Sequence, residues 1–148
     1  MQTITRLHRT GVGVAPDRTI GDVAKLMSSS GIGTVAVLDG DTLVGIVTDR
    51  DLVRRGMARG LGHDARVDGV MSSPVYTVAA DADIHDAVEA FGTHAVRRLA
   101  VVDGDRFVGI ISLDDLLVDL SEDLRRLTSP MALEIDAPQR DSSVPVLR

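Results

Sequence analysis

Two short segments of the chain end in residues that could bind a nucleotide. In GIVTDRD, Thr48 is followed three positions later by Asp51, and in GIISLDD, Ser112 is followed in the same way by Asp115. Each pair comes after an apolar run typical of a buried strand and would open a helix, where free N–H groups and the helix dipole favour an anion. The hydroxyl can donate to a phosphate oxygen, and the carboxylate can accept from the paired hydroxyls of a sugar.

The same pattern has a purely structural explanation. A hydroxyl residue followed three positions later by an acid is close to a helix capping box, in which the two residues satisfy each other's backbone groups. Taken singly, each pair fits capping better than ligand binding. Two such pairs at the same place in a repeat favour the ligand, because the repeat must bury an internal interface. Both explanations therefore stay open.

The two segments belong to a repeat that covers most of the chain. Residues 78–117 align with 14–53 at a constant offset of 64 without a gap, and 15 of the 40 positions are identical. This period is too long, and its copies too few, for a solenoid. The repeat predicts two small α/β units related by a pseudo-two-fold axis, with two equivalent clefts where the units meet.

The elements that would position these residues recur in the same order in each copy. Hydrophobic periodicity and turn residues predict, in the first copy, a helix over 19–27, a strand over 35–38, a tight turn at Gly40, a strand over 43–47 and a helix over 48–56. The second copy repeats this with a helix from about 83, strands over 99–102 and 107–111, a turn at Gly104 and a helix from 112 to about 127. With a short leading strand at 13–15 or 76–79, the fold class is α/β, a β-α-β-β-α unit present twice.

The chain is predicted to divide into four segments, namely 10–58 (first repeat), 59–73 (linker and lead-in), 74–127 (second repeat) and 128–148 (C-terminal tail). The linker is rich in glycine and arginine, which is typical of a surface connection. The tail has three prolines and no regular period, so we expect disorder over 137–148 and a short docking segment over 128–136.

Composition argues against several classes of protein. The absence of cysteine excludes disulfides, thiolate chemistry and cysteine-based zinc sites, and the net charge of −6 does not favour nucleic acid. No apolar run could span a bilayer and no signal peptide is evident, so a cytoplasmic protein without a membrane partner is expected. No nucleophile or acid–base pair stands out, so no enzyme is predicted. No metal site is predicted either, because metal-ligand spacing is missing around His8, His63, His85 and His94.

The ordered motifs resemble those of CBS domains (cystathionine β-synthase domains), which occur in tandem as a Bateman module. The resemblance rests on the paired G-h-h-(S/T)-x-x-D endings, on VDGVMSSPVYTVAADADI at 67–84, which is similar to a lead-in, and on AVRRLAVVD at 95–103, which is similar to a middle strand. It covers roughly residues 10–120. It implies tandem repeats packed with pseudo-two-fold symmetry into one module, with adenosine-type ligands in the clefts between them.

The resemblance also implies roles for individual residues. Asp51 and Asp115 would hold the ribose hydroxyls, and Thr48 and Ser112 would contact phosphate. Backbone of the middle and leading strands would line the adenine, namely Gly33, Thr34 and Val35 with 13–15, and Arg97, Arg98 and Leu99 with Tyr76, Thr77 and Val78. The regulatory ligand would be an adenine nucleotide (AMP, ADP or ATP) or S-adenosylmethionine, and no cofactor is required.

The two copies differ in charge where a phosphate would bind. Arg98 occupies a position where family members often carry a phosphate-binding arginine, and its first-copy counterpart is Thr34. Conversely, Arg50 adds positive charge to the first copy, where the second has Asp114. Neighbouring strand residues face opposite ways, so of Arg97 and Arg98 only one can point inward, and we favour Arg98. Three further arginines are interpreted as a solvated helix face, namely Arg54, Arg55 and Arg59.

The first copy departs from the family pattern at its start. Residues 8–17, HRTGVGVAPD, lack the V-x-D-x-M lead-in found at 67–71, which leaves the contribution of the first strand open.

The function expected from these features is that of a non-enzymatic, stand-alone CBS pair that binds an adenosine ligand and signals to an unknown effector protein in trans. Resemblance implies a homodimer, and the apolar helix face of Ile84, Val88 and Phe91 offers a physical reason for one. The alternative is a ligand-free dimeric interaction or stress-associated scaffold. In that case, Asp51→Ala and Asp115→Ala would each remove only a helix cap, worth about 1 kcal/mol.

Overall fold

A computed structural model describes residues 3–136 of the chain. They fall into two compact units, the first ending at Leu113 and the second beginning at Asp114. The regular elements are β1 (Arg9–Thr10), β2 (Gly13–Val14), α1 (Ile20–Ser30), β3 (Thr34–Asp39), β4 (Thr42–Thr48), α2 (Asp49–Asp51), β5 (Thr77–Ala79), α3 (Ile84–His94), β6 (Arg98–Asp103), β7 (Arg106–Ser112) and α4 (Leu113–Asp136). The first unit holds every strand, and the described part of the second unit is α4.

One seven-stranded mixed sheet unites the two copies. Its order is β2-β3-β4-β7-β6-β5, and β1 pairs separately with β7. At the centre β4 runs antiparallel to β7, with Thr42 opposite Arg106. These two positions are 64 residues apart, so the pseudo-two-fold axis that relates the copies passes through this contact. The predicted α/β fold of two repeated units is confirmed.

The sequence offset of 64 is kept in the hydrogen-bonding register. In the first copy β2 is parallel to β3 with Gly13 opposite Ala36, and in the second β5 is parallel to β6 with Thr77 opposite Ala100. The two hairpins carry a register shift at the same point, after Val37 and after Val101. Each leading strand, middle strand and returning strand is therefore matched residue by residue.

The turns behave as their glycines predict. Gly40 and Gly104 have φ of 62° and 60°, the left-handed region that glycine enters without a steric penalty. Helix α1 begins after Thr19, whose side chain accepts a hydrogen bond from the Asp22 N–H at 3.0 Å, and ends at Gly31 in the left-handed conformation. The equivalent position after α3 is Ala95, at φ 51°.

The core of the first copy lies between α1 and the hairpin of β3 and β4. Strand β3 is buried on both faces, as predicted, since Val35, Ala36 and Val37 have no exposed surface. The other members of this cluster share complete or nearly complete burial, and they are Ile20, Val23, Met27, Val47, Val67 and Val70. The last two valines come from the segment expected to be a linker, so the core of the first copy extends beyond its sequence repeat.

Each copy is closed by a lead-in segment that carries a short 3-10 turn. The turn at Val67–Gly69 packs on the first copy, where Val67 N–H donates to Arg18 O at 2.7 Å. The turn at Ile4–Arg6 packs on the second copy, where Ile4 N–H donates to Ala82 O at 3.1 Å. The missing first lead-in therefore lies at residues 4–9, at an offset of 63, and it serves the other copy.

Three expectations about the helices need correction. The helix after Thr48 is α-helical only over Asp49–Asp51 and continues as a π-helical turn over Leu52–Gly56 and a 3-10 turn over Met57–Arg59. The expected end of α4 near residue 127 is wrong, because the helix continues through Pro130 to Asp136. Finally, Phe91 is 5% exposed, so it is a core residue and only Val88 of the proposed face is exposed.

Two statements concern the limits of the described chain. The segment 137–148, expected to be disordered, lies outside the described residues. Within 3–136 no helix combines the length and the apolar character needed to cross a membrane.

Candidate functional site

Thr48 and Asp51 form a complete capping box at the end of β4. Oδ2 of Asp51 accepts from the Thr48 N–H at 2.9 Å and from the Thr48 hydroxyl at 3.0 Å. The Asp51 N–H donates to Oγ1 of Thr48 at 3.1 Å. The capping explanation therefore holds structurally, but it occupies one carboxylate oxygen, and the second remains on a side chain that is 19% exposed.

The β3–β4 hairpin and the turn before β3 hold this pair beside the predicted adenine-lining backbone. Thr34 lies opposite Thr48, and the Asp49 N–H donates to Gly33 O at 3.1 Å. A methyl group on Gly33 would lie 3.1 Å from Oδ2 of Asp49, so only glycine allows this close approach without a shift. Val35, the third predicted residue here, is fully buried and contributes only backbone.

The second copy repeats this arrangement with different side chains. Arg98 lies opposite Ser112, and the Leu113 N–H donates to Arg97 O at 2.9 Å. Arg97 and Arg98 are both exposed, whereas Leu99 is fully buried. The first unit thus brings Arg98 and Ser112 together as predicted, and Asp115 lies in the first turn of α4.

The leading strand of the second copy carries an aromatic contact. The Tyr76 ring stacks on His94 with a centroid distance of 3.8 Å and an interplanar angle of 15°. Tyr76 O accepts from the Ala100 N–H at 3.1 Å, which places it beside β6, and Thr77 follows as the first residue of β5. The residues equivalent to Tyr76 and His94 in the first copy are Val12 and Ser30, so this stack belongs to the second copy alone.

Two cavities adjoin the first-copy residues. One of about 490 Å³ contains Gly33 and is otherwise lined by Ala24, Met27, Ser28, Gly31, Ile32, Asp49 and Leu52. The other, of about 310 Å³, contains Arg50 and Asp51 and is otherwise lined by Arg54, Arg55 and Arg59. The predicted site residues Gly33, Arg50 and Asp51 thus lie at cavities of opposite character, one largely apolar and one highly charged.

The arginines of the second cavity are not merely a solvated face. Arg55 is half-buried and donates to Met71 O at 3.0 Å and to Val70 O at 3.5 Å. Its Nε lies 3.9 Å from Oδ1 of Asp51. It therefore fastens the lead-in of the first copy to the helix that carries the predicted ribose ligand. Helical periodicity could not reveal this cluster, because the π-helical turn changes which residues share a side.

No cluster suited to a metal ion occurs within residues 3–136. No three or more of their histidine and acidic side chains come together as potential ligands. The acidic residues near the site are used otherwise, Asp51 by Thr48 and Asp49 by the Arg50 N–H at 2.8 Å.

The profile of the CBS domain matches the chain twice, over residues 7–58 and 67–122. The two matches together cover most of the chain, and each contains one of the Thr/Ser-x-x-Asp segments described above.

Relatives and solved structures agree with this match. Hypoxic response protein 1 of Mycobacterium tuberculosis is 33% identical over 141 residues, which is 90% of this chain and 99% of that protein. A crystal structure of Hypoxic Response Protein I with two coordinated zinc ions has a TM-score of 0.69 at 32% identity, covering 78% of this chain and 97% of that one. The CBS domain protein PAE2072 from Pyrobaculum aerophilum, complexed with AMP, has a TM-score of 0.70 at 25% identity, covering 82% and 99%.

Proposed function

This chain belongs to the CBS domain family, and from that premise we propose that it is a non-enzymatic regulatory module that binds an adenosine nucleotide at the clefts between its repeats. AMP, ADP, ATP and S-adenosylmethionine are the candidate ligands. Asp51 and Asp115 would hold ribose hydroxyls, Thr48 and Ser112 would meet phosphate, and the backbone at Gly33–Val35, Tyr76–Thr77 and Arg97–Leu99 would line the adenine.

The observation that carries the proposal is the duplicated strand ending. Thr48 lies opposite Thr34 and Ser112 lies opposite Arg98, and in each copy the next N–H binds the carbonyl of the turn that precedes the middle strand. Such a turn presents backbone groups close to a hydroxyl and a carboxylate, which are the groups that a nucleoside monophosphate requires. The AMP complex of a protein with the same fold supports the choice of ligand.

The remaining free oxygen of Asp51 supports its assigned role. Oδ2 is held by Thr48, and Oδ1 has only Arg55 Nε nearby, at 3.9 Å, which is too long for a strong hydrogen bond. A ribose could donate to Oδ1 without breaking the capping box. Ligand binding and capping are thus compatible, and the aspartate is fixed in place before the ligand arrives.

Regulation would follow from unequal affinity for two arrangements of the protein. A ligand can shift such an equilibrium only by the difference between its affinities for the two states. We propose that the readout is a partner protein in trans and that the module works as a homodimer. Exposed apolar side chains on the helical side, Val53, Met57 and Val88, provide surface for such contacts.

A thermal unfolding series with AMP, ADP, ATP and S-adenosylmethionine tests the proposal. At a ligand concentration of 100 Kd, binding adds about 2.7 kcal/mol of stability, which raises the midpoint by several degrees. We expect at least one ligand to do so for the wild type and to lose the effect with Asp51→Asn or with Asp115→Asn. A wild type that none of the four ligands stabilises would favour the ligand-free scaffold, in which the capping box is the whole role of Asp51.

A further inference from the structure

The cavity beside Asp51 concentrates positive charge in an acidic chain. Its lining consists of four arginines and one aspartate, in a protein whose net charge is −6. The four arginines are Arg50, Arg54, Arg55 and Arg59. The cavity encloses about 310 Å³. Its local charge therefore has the opposite sign to that of the protein as a whole.

Three of these four guanidinium groups are available to a ligand. Arg55 is committed to the carbonyl oxygens of Val70 and Met71. Arg50, Arg54 and Arg59 are exposed, and their side chains make no ion pair or hydrogen bond to any residue that the structure describes. Like charges four residues apart on a helix, such as Arg50 and Arg54, destabilise it. An anion bound among them would remove that repulsion.

The π-helical turn brings these arginines together. In a straight α-helix Arg50 and Arg59, nine residues apart, would point about 180° away from each other. Here the Met57 N–H donates to Leu52 O, a wider i→i+5 bond, and the 3-10 turn Met57–Arg59 follows. Arg50, Arg54 and Arg59 consequently line one cavity. A π-helical turn inside a helix is frequently found at a functional site.

The second copy lacks this charge altogether. The positions 64 residues beyond Arg50, Arg54, Arg55 and Arg59 are Asp114, Val118, Asp119 and Asp123. Three arginines are thus replaced by acids and the fourth by an apolar residue. Because the copies otherwise match residue by residue, the difference distinguishes one cleft from the other.

We propose that this arginine cavity binds a chain of phosphate groups and makes the first cleft selective for a nucleoside di- or triphosphate. Guanidinium groups bind phosphate oxygens through two parallel N–H···O bonds and stay charged at every physiological pH. The inference deepens the proposed function and rests on it for the adenosine part of the ligand. The phosphate part rests on the arginines alone.

Isothermal titration of the full chain with inorganic tripolyphosphate, ATP and AMP tests the inference. The variant is Arg54→Gln combined with Arg59→Gln, which removes two cavity charges. The control is Arg6→Gln combined with Arg18→Gln, which removes the same charge from two exposed arginines outside the cavity. We expect tripolyphosphate to bind once per chain, and each cavity arginine removed to weaken it about tenfold. ATP should bind more tightly than AMP in the wild type and the control, and this preference should disappear in the cavity variant.

The outcomes separate this inference from the proposed function. Tripolyphosphate binding that depends on Arg54 and Arg59, without binding of AMP or ATP, supports the phosphate site and contradicts the adenosine ligand. AMP binding without tripolyphosphate binding contradicts the phosphate site and leaves the proposed function intact. Equal weakening in the variant and the control reduces the effect to net charge and overturns the inference. So does a wild type that binds no tripolyphosphate, with a cavity variant that sediments as a smaller species, since the arginines would then belong to a protein interface.

Discussion

Asp51 holds Thr48 with one carboxylate oxygen and leaves the other toward the arginine cavity. Oδ2 accepts both the N–H and the hydroxyl of Thr48, whereas Oδ1 is 3.9 Å from Nε of Arg55. One side chain therefore ends a strand, opens a helix and offers an acceptor to a ligand. Substitutions at this position must be chosen to separate these roles.

Asp51→Ala and Asp51→Asn should separate capping from ligand binding. Alanine removes the cap and should lower the free energy of unfolding by about 1 kcal/mol, whereas the oxygen of asparagine can still accept from Thr48 and should cost less. Both should lose stabilisation by AMP, measured by urea unfolding with and without the ligand. Thr19→Ala is the control, because it removes only the cap of α1. An Asp51→Asn variant that AMP stabilises as well as it does the wild type would contradict the ribose role.

Gly31 and Ala95 should respond in opposite directions to exchange of their residues. Both end a helix in the left-handed conformation, at φ 62° and 51°. A β-carbon there costs about 1 kcal/mol, so Gly31→Ala should destabilise and Ala95→Gly should stabilise by a smaller amount, since glycine also gains freedom in the unfolded chain. No atom lies within 4 Å of a methyl group built on Gly31, so the effect is conformational. Thermal midpoints measure it, and a stabilising Gly31→Ala would disprove the explanation.

Ile4→Ala and Val67→Ala should each destabilise the copy that the residue closes. Both side chains have no exposed surface. Removing an isoleucine side chain from such a site costs about 2–5 kcal/mol, and the smaller valine should cost less. Val53→Ala, at a side chain that is 55% exposed, is the control and should change stability by less than about 0.5 kcal/mol. Urea unfolding measures all three, and an Ile4→Ala variant as stable as the control would mean that the first lead-in is not part of the core.

The ion pair of Arg66 and Asp68 should make stability depend on pH in the acid range. Arg66 donates to both carboxylate oxygens, at 2.7 to 3.2 Å, and this hydrogen bonding lowers the pKa of Asp68 from its usual 3.8. A pKa that is lower in the folded state gives stability that is present above the unfolded value and is lost as the pH falls through the folded one.

Arg66→Gln should remove this contribution. Urea midpoints of the wild type and the variant should differ most above about pH 4 and converge on acidification below it. The difference should be small, because the pair is exposed. A difference that grows as the pH falls would contradict the assigned sign.

The predictable part of the structure is the part that depends on local pattern. The turn at Gly40, the buried strand around Val35 and the cap at Thr19 follow from residue type and periodicity, and an identical offset repeats them. The lead-in at Ile4 escaped prediction because it is one residue out of register and serves the other copy. The arginine cavity escaped because a π-helical turn has no periodic signature. The passage of α4 through Pro130 escaped because proline usually ends a helix.

The crossed lead-ins give the two copies different histories during synthesis on the ribosome. Residues 67–72 follow the first copy directly, so that copy can complete its core as soon as they emerge. Residues 4–10 emerge first, yet Arg9 pairs with Ile110 and must wait for nearly the whole sheet to be made. Closing so distant a contact carries the larger entropy cost and is slow. The second copy therefore completes its folding last, and until then the nascent chain carries an unpaired strand at its leading end.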